Sequence, residues 1–207
     1  MEEKKLTIQI YRNKSLDELT GLIADPGERP DAGSAAASSG ALAAALLCRA
    51  VRMNNETAGL DPEKQDWYLR NSEILRTYLV KLVDEDVKCR GPLRRALKEG
   101  DNHALEAARQ VSVSICLEIV NMMGKCLEMA ADYADNLTQG ADVGFYLLES
   151  ADLAYAASLA AGGFIRMTAE KSADETWCYV MKRENELTMQ AQAELLGRIR
   201  THLKQST

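Results

Sequence analysis

The sequence predicts an all-α protein, and three features of the chain support that prediction. Hydrophobic residues make up 46% of its 207 residues but aromatic residues only 5%, so the core must consist largely of small and aliphatic side chains. Only four prolines are present, and the runs of β-branched residues typical of strands are few. Long segments instead repeat apolar residues at helical spacing. We therefore expect one domain, residues 1–207, folded as a bundle of five or six long helices.

The first two helices are separated by a loop rich in proline, glycine and charge. Ser15 and Glu18 form a capping-box pattern, which predicts a helix that ends near Ala24. Ser34 is predicted to be the N-cap of a long helix of Ala, Gly, Ser and Leu that ends near Met53. Small residues are predicted to leave one face of this helix without bulk: Gly33, Ala37, Gly40 and Ala44. Spacing alone favours close helix packing for this face over a ligand at the loop-to-helix junction.

A third helix is predicted from Pro62, with Asp61 as its cap, to the acidic residues 84–86. Gly91 and Pro92 predict a break or kink after it. A short helix should then follow and end at Glu99.

Three more helices complete the prediction. Residues 103–133 are apolar over most of the helix circumference, which predicts a central helix. Residues 142–169 form the next helix, and a second capping-box pattern at residues 172–175 starts the last one. The small-residue face and the apolar central helix together predict a homodimer, which we expect to be antiparallel.

Composition excludes several classes of function. A net charge of −6 opposes nucleic-acid binding, which needs a basic face. The longest apolar run, residues 41–48, is too short to cross a bilayer, and no signal-peptide pattern is visible. Five scattered cysteines are typical of a reducing compartment. We therefore expect a cytoplasmic protein with neither nucleic-acid nor membrane partners.

Few side chains are suited to catalysis. The two histidines are too few for a multi-histidine metal site or a histidine-based triad, so we expect no metal. Carboxylates, lysines, hydroxyls and backbone dipoles remain. In the acidic residues 84–86 one side chain must point inward beside the apolar stripe, and Asp86 fits best; Asp84 and Glu85 are interpreted as solvated.

The order of these pieces resembles the cyclodeaminase/cyclohydrolase family. That family comprises the C-terminal domain of formiminotransferase-cyclodeaminase and the stand-alone bacterial methenyltetrahydrofolate cyclohydrolases. The resemblance extends from about Ser15 to Met167 and includes the junction before the Ala-rich helix, the acidic residues 84–86 and the Gly/Asp helix start at residues 140–144.

The resemblance implies the site residues. Asp86 and Asp142 are implied as catalytic, although Asp142 is equally interpreted as an N-cap. Substrate-binding residues are implied at six positions: Asp31, Ala32, Gly33, Ser34, Arg90 and Gly144.

The chain departs from the family pattern at several places. Asp31 and Ala32 stand where the family has glycines, and Arg90 stands where it usually has Tyr or Phe. Residues 160–164 occupy a stretch in which family members often have Asn. Because Asp31 and Ala32 adopt positive φ less freely than glycine, we expect weaker folate binding or a shifted substrate.

The implied activity is folate one-carbon chemistry with a tetrahydrofolate derivative as substrate and no cofactor. Water adds to 5,10-methenyltetrahydrofolate to give the 10-formyl compound, or 5-formiminotetrahydrofolate cyclises with loss of ammonia. The alternative is a non-catalytic or repurposed helical dimer that binds a different small molecule.

Overall fold

The computed structural model describes residues 10–27, 30–53, 61–137 and 141–205, apart from the side chains of residues 141, 142 and 205. Within these ranges the chain is all-α, as predicted, and contains no strand. The six helices are α1 (Leu16–Ala24), α2 (Ala32–Met53), α3 (Pro62–Glu99), α4 (Asn102–Asp135), α5 (Ala141–Ala169) and α6 (Glu175–Gln205).

Helix α2 lies between α3 and α5 and runs antiparallel to both. Near its start the Ser34 hydroxyl bonds Asp86 of α3, and near its end the Val51 carbonyl accepts a hydrogen bond from Gln65, also in α3. On the other side the Ser150 hydroxyl of α5 donates to the Ala43 carbonyl over 2.8 Å. Helix α4 packs against α3 and α5 behind α2, and α6 packs against α4 and α5.

Helix α4 forms the centre of the core, as its apolar circumference predicts. Ile119, Val120, Met123 and Leu127 are all fully buried. The hydrophobic core that they share extends through the five long helices. One continuous core of this kind is what a bundle of amphipathic helices buries.

The small-residue face of α2 packs against the protein's own helices. A Cβ atom on Gly40 would lie 2.9 Å from Sδ of Met123 and 3.2 Å from Cδ2 of Leu79. Ala37 and Ala44 are fully buried. The close-packing interpretation is therefore correct for this face. Because its partners lie within the same chain, the face gives no support to a homodimer.

Helix α3 is longer than predicted because Gly91 and Pro92 do not end it. Proline removes one backbone donor from the ladder, which ordinarily ends or kinks a helix. Here Arg90 and Ala96, on either side of the proline, are each 3% exposed. Their packing against other helices compensates for the missing hydrogen bond, so the helix continues past Pro92. The helix ends at Gly100, whose φ of 69° lies in the left-handed region.

Two predicted N-caps are wrong by two or three residues. Asp31, not Ser34, caps α2, because its Oδ1 accepts the Gly33 N–H at 3.2 Å. Asp174, not Ser172, caps α6, since its Oδ1 accepts the Trp177 N–H at 2.9 Å. The capping box of α1 at Ser15 is confirmed.

Helix α2 is the one described helix that is long and apolar enough to meet the length and composition of a membrane span. Its most apolar window has a mean hydropathy of 1.4, and 61% of that window is buried inside the bundle. A helix covered to this extent by its own protein is typical of the core of a soluble bundle.

Candidate functional site

Asp86, in the middle of α3, is a fully buried carboxylate whose two oxygens are both bonded. Its Oδ2 accepts the Ser34 hydroxyl at 2.7 Å. Its Oδ1 accepts Nη2 of Arg90 at 2.9 Å and Nε of the same guanidinium at 3.2 Å. A carboxylate with no exposed surface requires this degree of pairing, because an unpaired buried charge is very unfavourable.

Arg90 connects this carboxylate to a second one. Its Nη2 lies 3.0 Å from Oδ1 of Asp31, and its Cζ lies 3.9 Å from the centroid of the Phe164 ring. Burial lowers the pKa of Arg90, but Asp86 and Asp31 raise it by more, so the group stays charged. We call Asp31, Ser34, Asp86, Arg90 and Phe164 the carboxylate cluster.

Asp31 is the carboxylate of the cluster that reaches the surface. Its side chain is 37% exposed, whereas that of Asp86 is not exposed at all. Burial raises the pKa of Asp31, the Arg90 guanidinium lowers it, and the net shift is upward. Arg94 is a more distant cation that also lowers the pKa of Asp31, while its Nη1 donates to the Gly27 carbonyl at 3.3 Å.

Gly33 is required at this site because of space, not because of φ. A Cβ atom there would lie 2.6 Å from Cγ of Asp86 and 2.9 Å from its Oδ2. Among the described glycines only Gly100 has a positive φ. Gly33 therefore does not supply left-handed backbone here; its lack of a side chain lets the Asp86 carboxylate approach the α2 backbone.

The inner side of the cluster is lined by two thiols of low reactivity. Cys89 donates from its Sγ to the Asp86 carbonyl at 3.0 Å, and burial raises its pKa to about 11. Burial also raises the pKa of Cys116 well above its usual range. Thiols that stay protonated at neutral pH are poor nucleophiles, so neither is suited to covalent catalysis.

Asp84 is buried, although the sequence analysis interpreted it as solvated. It is 6% exposed, and its Oδ1 accepts the backbone N–H groups of Tyr11 at 2.6 Å and Arg12 at 3.1 Å. Nε of Arg12 lies 3.4 Å from the other oxygen. Asp84 therefore fixes the segment before α1 to α3, two residues from Asp86.

Two of the implied site residues lie at the opposite end of α5. Gly144 is twenty residues before Phe164 in the same helix, a separation of about 30 Å. A Cβ atom on Gly144 would lie 3.4 Å from Cδ2 of Leu203, near the end of α6. Asp142 lies in the same first turn of α5, and its side chain is outside the part of the chain that the structure describes. A single chain thus brings together Asp31, Gly33, Ser34, Asp86 and Arg90, but not Gly144.

Ala32 is exposed as the first residue of α2. In the part of the chain that the structure describes, no group of three or more His, Cys, Asp or Glu side chains is arranged to hold a metal ion.

Comparison with known proteins identifies the family. The family model of formiminotransferase-cyclodeaminase matches residues 15–184. The chain belongs to the formiminotransferase-cyclodeaminase family. Its fold is also that of the formiminotetrahydrofolate cyclodeaminase of Thermotoga maritima, whose crystal structure was determined at 2.80 Å. The TM-score is 0.86 over 93% of this chain and 96% of that one, at 19% sequence identity. No curated protein gave a significant match.

Three of the departures from the cyclodeaminase/cyclohydrolase pattern are joined through Arg90. Asp31 pairs with Arg90, and Arg90 stacks on Phe164, the last residue of the stretch in which Asn is common. The Asp86–Arg90 pair could be anticipated from its i,i+4 spacing in one helix. The contact with Phe164 could not, because nothing in the sequence indicates which turn of α5 meets α3.

Proposed function

We propose that this chain is an enzyme of folate one-carbon chemistry that acts on the methenyl cation of tetrahydrofolate. It either hydrolyses 5,10-methenyltetrahydrofolate to the 10-formyl compound or forms it from 5-formiminotetrahydrofolate. One observation carries the proposal: two carboxylates, Asp31 and Asp86, share the single guanidinium of Arg90. Direct pairing leaves an excess of negative charge at a half-exposed site, which favours a cationic ligand.

Both reactions need such a charge. In the hydrolysis a water oxygen bonds the methenyl carbon, the bond from that carbon to N5 breaks, and one proton is released. In the deamination N10 bonds the formimino carbon and gives up its proton. The formimino nitrogen takes up that proton and one more, its bond to the carbon breaks, and it leaves as ammonia. In each reaction the carbon of the one-carbon unit becomes tetrahedral in an intermediate. The delocalised methenyl cation is the substrate of one reaction and the product of the other. A fixed carboxylate stabilises the cation, and a protonatable one moves the proton.

The geometry supports different roles for the two carboxylates. Asp31 is exposed enough to meet a substrate, and burial raises its pKa toward the range useful for proton transfer. Asp86 is sealed behind Ser34 and Arg90. We therefore propose Asp31 as the group that contacts the substrate. Asp86 is proposed as the residue that holds Arg90, and its charge, in position.

One observation favours the alternative of a non-catalytic or repurposed dimer. Both oxygens of Asp86, the carboxylate that the family resemblance implies as catalytic, are already bonded within the protein. A dimer that binds another small molecule would keep this cluster for stability alone. Folate binding separates the two functions, because a ligand that binds only the folded state raises the unfolding temperature.

The test measures loss of methenyltetrahydrofolate absorbance and, separately, release of ammonia from formiminotetrahydrofolate. We expect Asp31→Asn to lower kcat by about a hundredfold, the usual scale for one acid–base group. The matched control is Asp152→Asn. Asp152 is 39% exposed and pairs with Arg200 at 2.7 Å, so it loses a similar ion pair away from the cluster. If the unmodified protein shows no turnover and no folate-dependent thermal shift, the proposed function is refuted and the alternative stands.

Asp86→Asn tests the positioning role. We expect loss of turnover to accompany a changed pH profile, because an Arg90 released from Asp86 pairs more strongly with Asp31 and lowers the pKa of Asp31. A loss of kcat with an unchanged pH profile would contradict that role.

A further inference from the structure

Helix α6 places a buried asparagine against the turn of α5 that precedes Phe164. Asn185 is 5% exposed. Its Nδ2 donates to the Gly162 carbonyl at 3.3 Å, and its Oδ1 accepts no hydrogen bond from the residues that the structure describes. A buried polar group with one atom unsatisfied is unfavourable. A contribution to stability alone therefore does not explain the amide at this position.

The turn that Asn185 contacts contains two consecutive glycines. A Cβ atom on Gly162 would lie 2.8 Å from Oδ1 of Asn185 and 3.3 Å from its Nδ2, so Gly162 provides the space for the amide. A Cβ atom on Gly163 would meet nothing within 4 Å. Helices bend at such pairs, because glycine has no side chain to fix the backbone. The bond from Asn185 therefore holds the part of α5 that its own sequence holds least.

The same turn carries Phe164 to the carboxylate cluster. The centroid of the half-buried Phe164 ring lies 3.9 Å from Cζ of Arg90. Residues two apart in a helix point about 200° away from each other. Gly162 thus faces α6 on one side of α5, while Phe164 faces α3 on the other. Within the described ranges α6 packs against α4 and α5 alone, so Asn185 reaches the cluster through the backbone of α5.

We propose that Asn185 is a positioning residue for the carboxylate cluster. It holds the Gly162 carbonyl and thereby sets the place of the Phe164 ring over Arg90. A ring face attracts a cation more strongly where both are desolvated, and Arg90 is 3% exposed. The ring therefore fixes the guanidinium from the side that no carboxylate occupies among the contacts described above.

The ring acts on the contact of Arg90 that the proposed reaction needs. Arg90 makes two hydrogen bonds to Oδ1 of Asp86, but its one close contact with Asp31 is the 3.0 Å ion pair. A displaced ring therefore releases Asp31 first. Misplacement of a group at a reacting centre by about 1 Å costs up to about a hundredfold in rate. The effect on turnover rests on the function proposed above, whereas the place of the guanidinium does not.

The place of the guanidinium is tested by NMR on the protein without any ligand. A proton over a ring face resonates upfield, so the Arg90 Nε–H signal, identified by its absence in Arg90→Lys, should lie upfield of its position in Phe164→Leu. Asn185→Leu should remove most of that shift. If the unmodified protein and Phe164→Leu give the same signal, or Asn185→Leu leaves it unmoved, the proposal is overturned.

The chain offers a matched control for the loss of a buried amide. Gln192, also on α6, is 2% exposed, donates from Nε2 to the Val120 carbonyl of α4 at 2.8 Å, and has an Oε1 without a described partner. Gln192→Met should leave the Arg90 signal in place, because the bond that it removes does not lead to Phe164. An equal movement of the signal in Gln192→Met would show a general loosening of α6 and would overturn the positioning role.

The two glycines give a second test that leaves Asn185 unchanged in sequence. In Gly162→Ala the new methyl group displaces the amide, so the Arg90 signal should move as it does in Asn185→Leu. In Gly163→Ala the methyl group meets open space, so the signal should stay. Both variants gain the helix propensity of alanine, and circular dichroism checks that both are folded. Movement in both variants, or in neither, counts against the proposal.

Turnover of methenyltetrahydrofolate tests the consequence for the reaction. Asn185→Leu should lower kcat by about tenfold to a hundredfold, and by much less in a Phe164→Leu background, where the ring through which it acts is absent. Equal losses in the two backgrounds, or an unchanged kcat in Asn185→Leu, overturn the role in the reaction. An unmodified protein without turnover contradicts the proposed function instead, and the NMR results still decide the place of Arg90.

Discussion

Gly33→Ala tests whether the close approach of α2 to Asp86 is essential to the fold. The added Cβ would lie 2.6 Å from Cγ of Asp86, whereas ordinary contacts begin at 3.4 Å. The carboxylate would have to move by at least about 0.8 Å within a close-packed site. It is held there by Ser34 and Arg90, so the movement breaks or stretches a bond to one of them.

The expected cost follows from these contacts. Overpacking costs about 1–3 kcal/mol, and a weakened hydrogen bond to a charged group costs about 1.5–3 kcal/mol. The greater helix propensity of alanine returns about 1 kcal/mol. We therefore expect the free energy of unfolding to fall by about 3 kcal/mol, as the sum of these terms.

The assay is urea unfolding followed by circular dichroism, with the dependence on urea checked to be unchanged. The matched control is Gly197→Ala in α6, where a new Cβ would meet nothing within 4 Å. That variant should be more stable than the unmodified protein by about 0.5–1 kcal/mol, from helix propensity alone. If Gly33→Ala unfolds at the same urea concentration as Gly197→Ala, the steric reasoning is refuted.

Three further substitutions separate charge from packing. Burial raises the pKa of Asp31, so its contribution to stability is fully present below its ordinary pKa of 3.8 and is lost as the pH rises through the raised value. Asp31→Asn removes this loss, so above about pH 4 the free energy of unfolding of the variant should fall less, or rise more, with pH than that of the unmodified protein. An identical pH dependence of the two proteins in urea titrations contradicts this. Arg90→Gln should cost about 3–5 kcal/mol, because it leaves the Asp86 carboxylate buried without its cation, and a urea midpoint equal to that of the unmodified protein would disprove the pairing. Gly40→Ala should stay within about 1 kcal/mol, since the clash falls on the flexible end of Met123 and helix propensity offsets it; thermal unfolding far below the unmodified protein would contradict this.

The sequence predicted the elements well wherever the signal was local. The capping box at Ser15, the start of α3 at Pro62 and the apolar circumference of α4 all depend on residues within one or two turns, and each agrees with the structure. The continuation of α3 through Pro92 was missed, because it depends on burial against other helices rather than on the proline itself.

The site was predictable in part for the same reason. Asp86 was recognised as the inward carboxylate from the apolar residues beside it, and its burial confirms that position. The burial of Asp84 was missed, since its partners, Tyr11 and Arg12, lie more than seventy residues away in the chain. The separation of Gly144 from the cluster was also missed, because nothing in the sequence indicates how α5 lies along α3.

The Asp31–Arg90–Asp86 arrangement makes the two carboxylates unequal in their dependence on Arg90. An aspartate at position 31 without Arg90 would leave the fully buried Asp86 carboxylate without a bonded cation and beside a second carboxylate, which is unfavourable. Arg90 without Asp31 would still be paired with Asp86 one helical turn away. Arg90 therefore keeps an ion pair when Asp31 is removed, whereas Asp31 and Asp86 lose the cation that they share when Arg90 is removed.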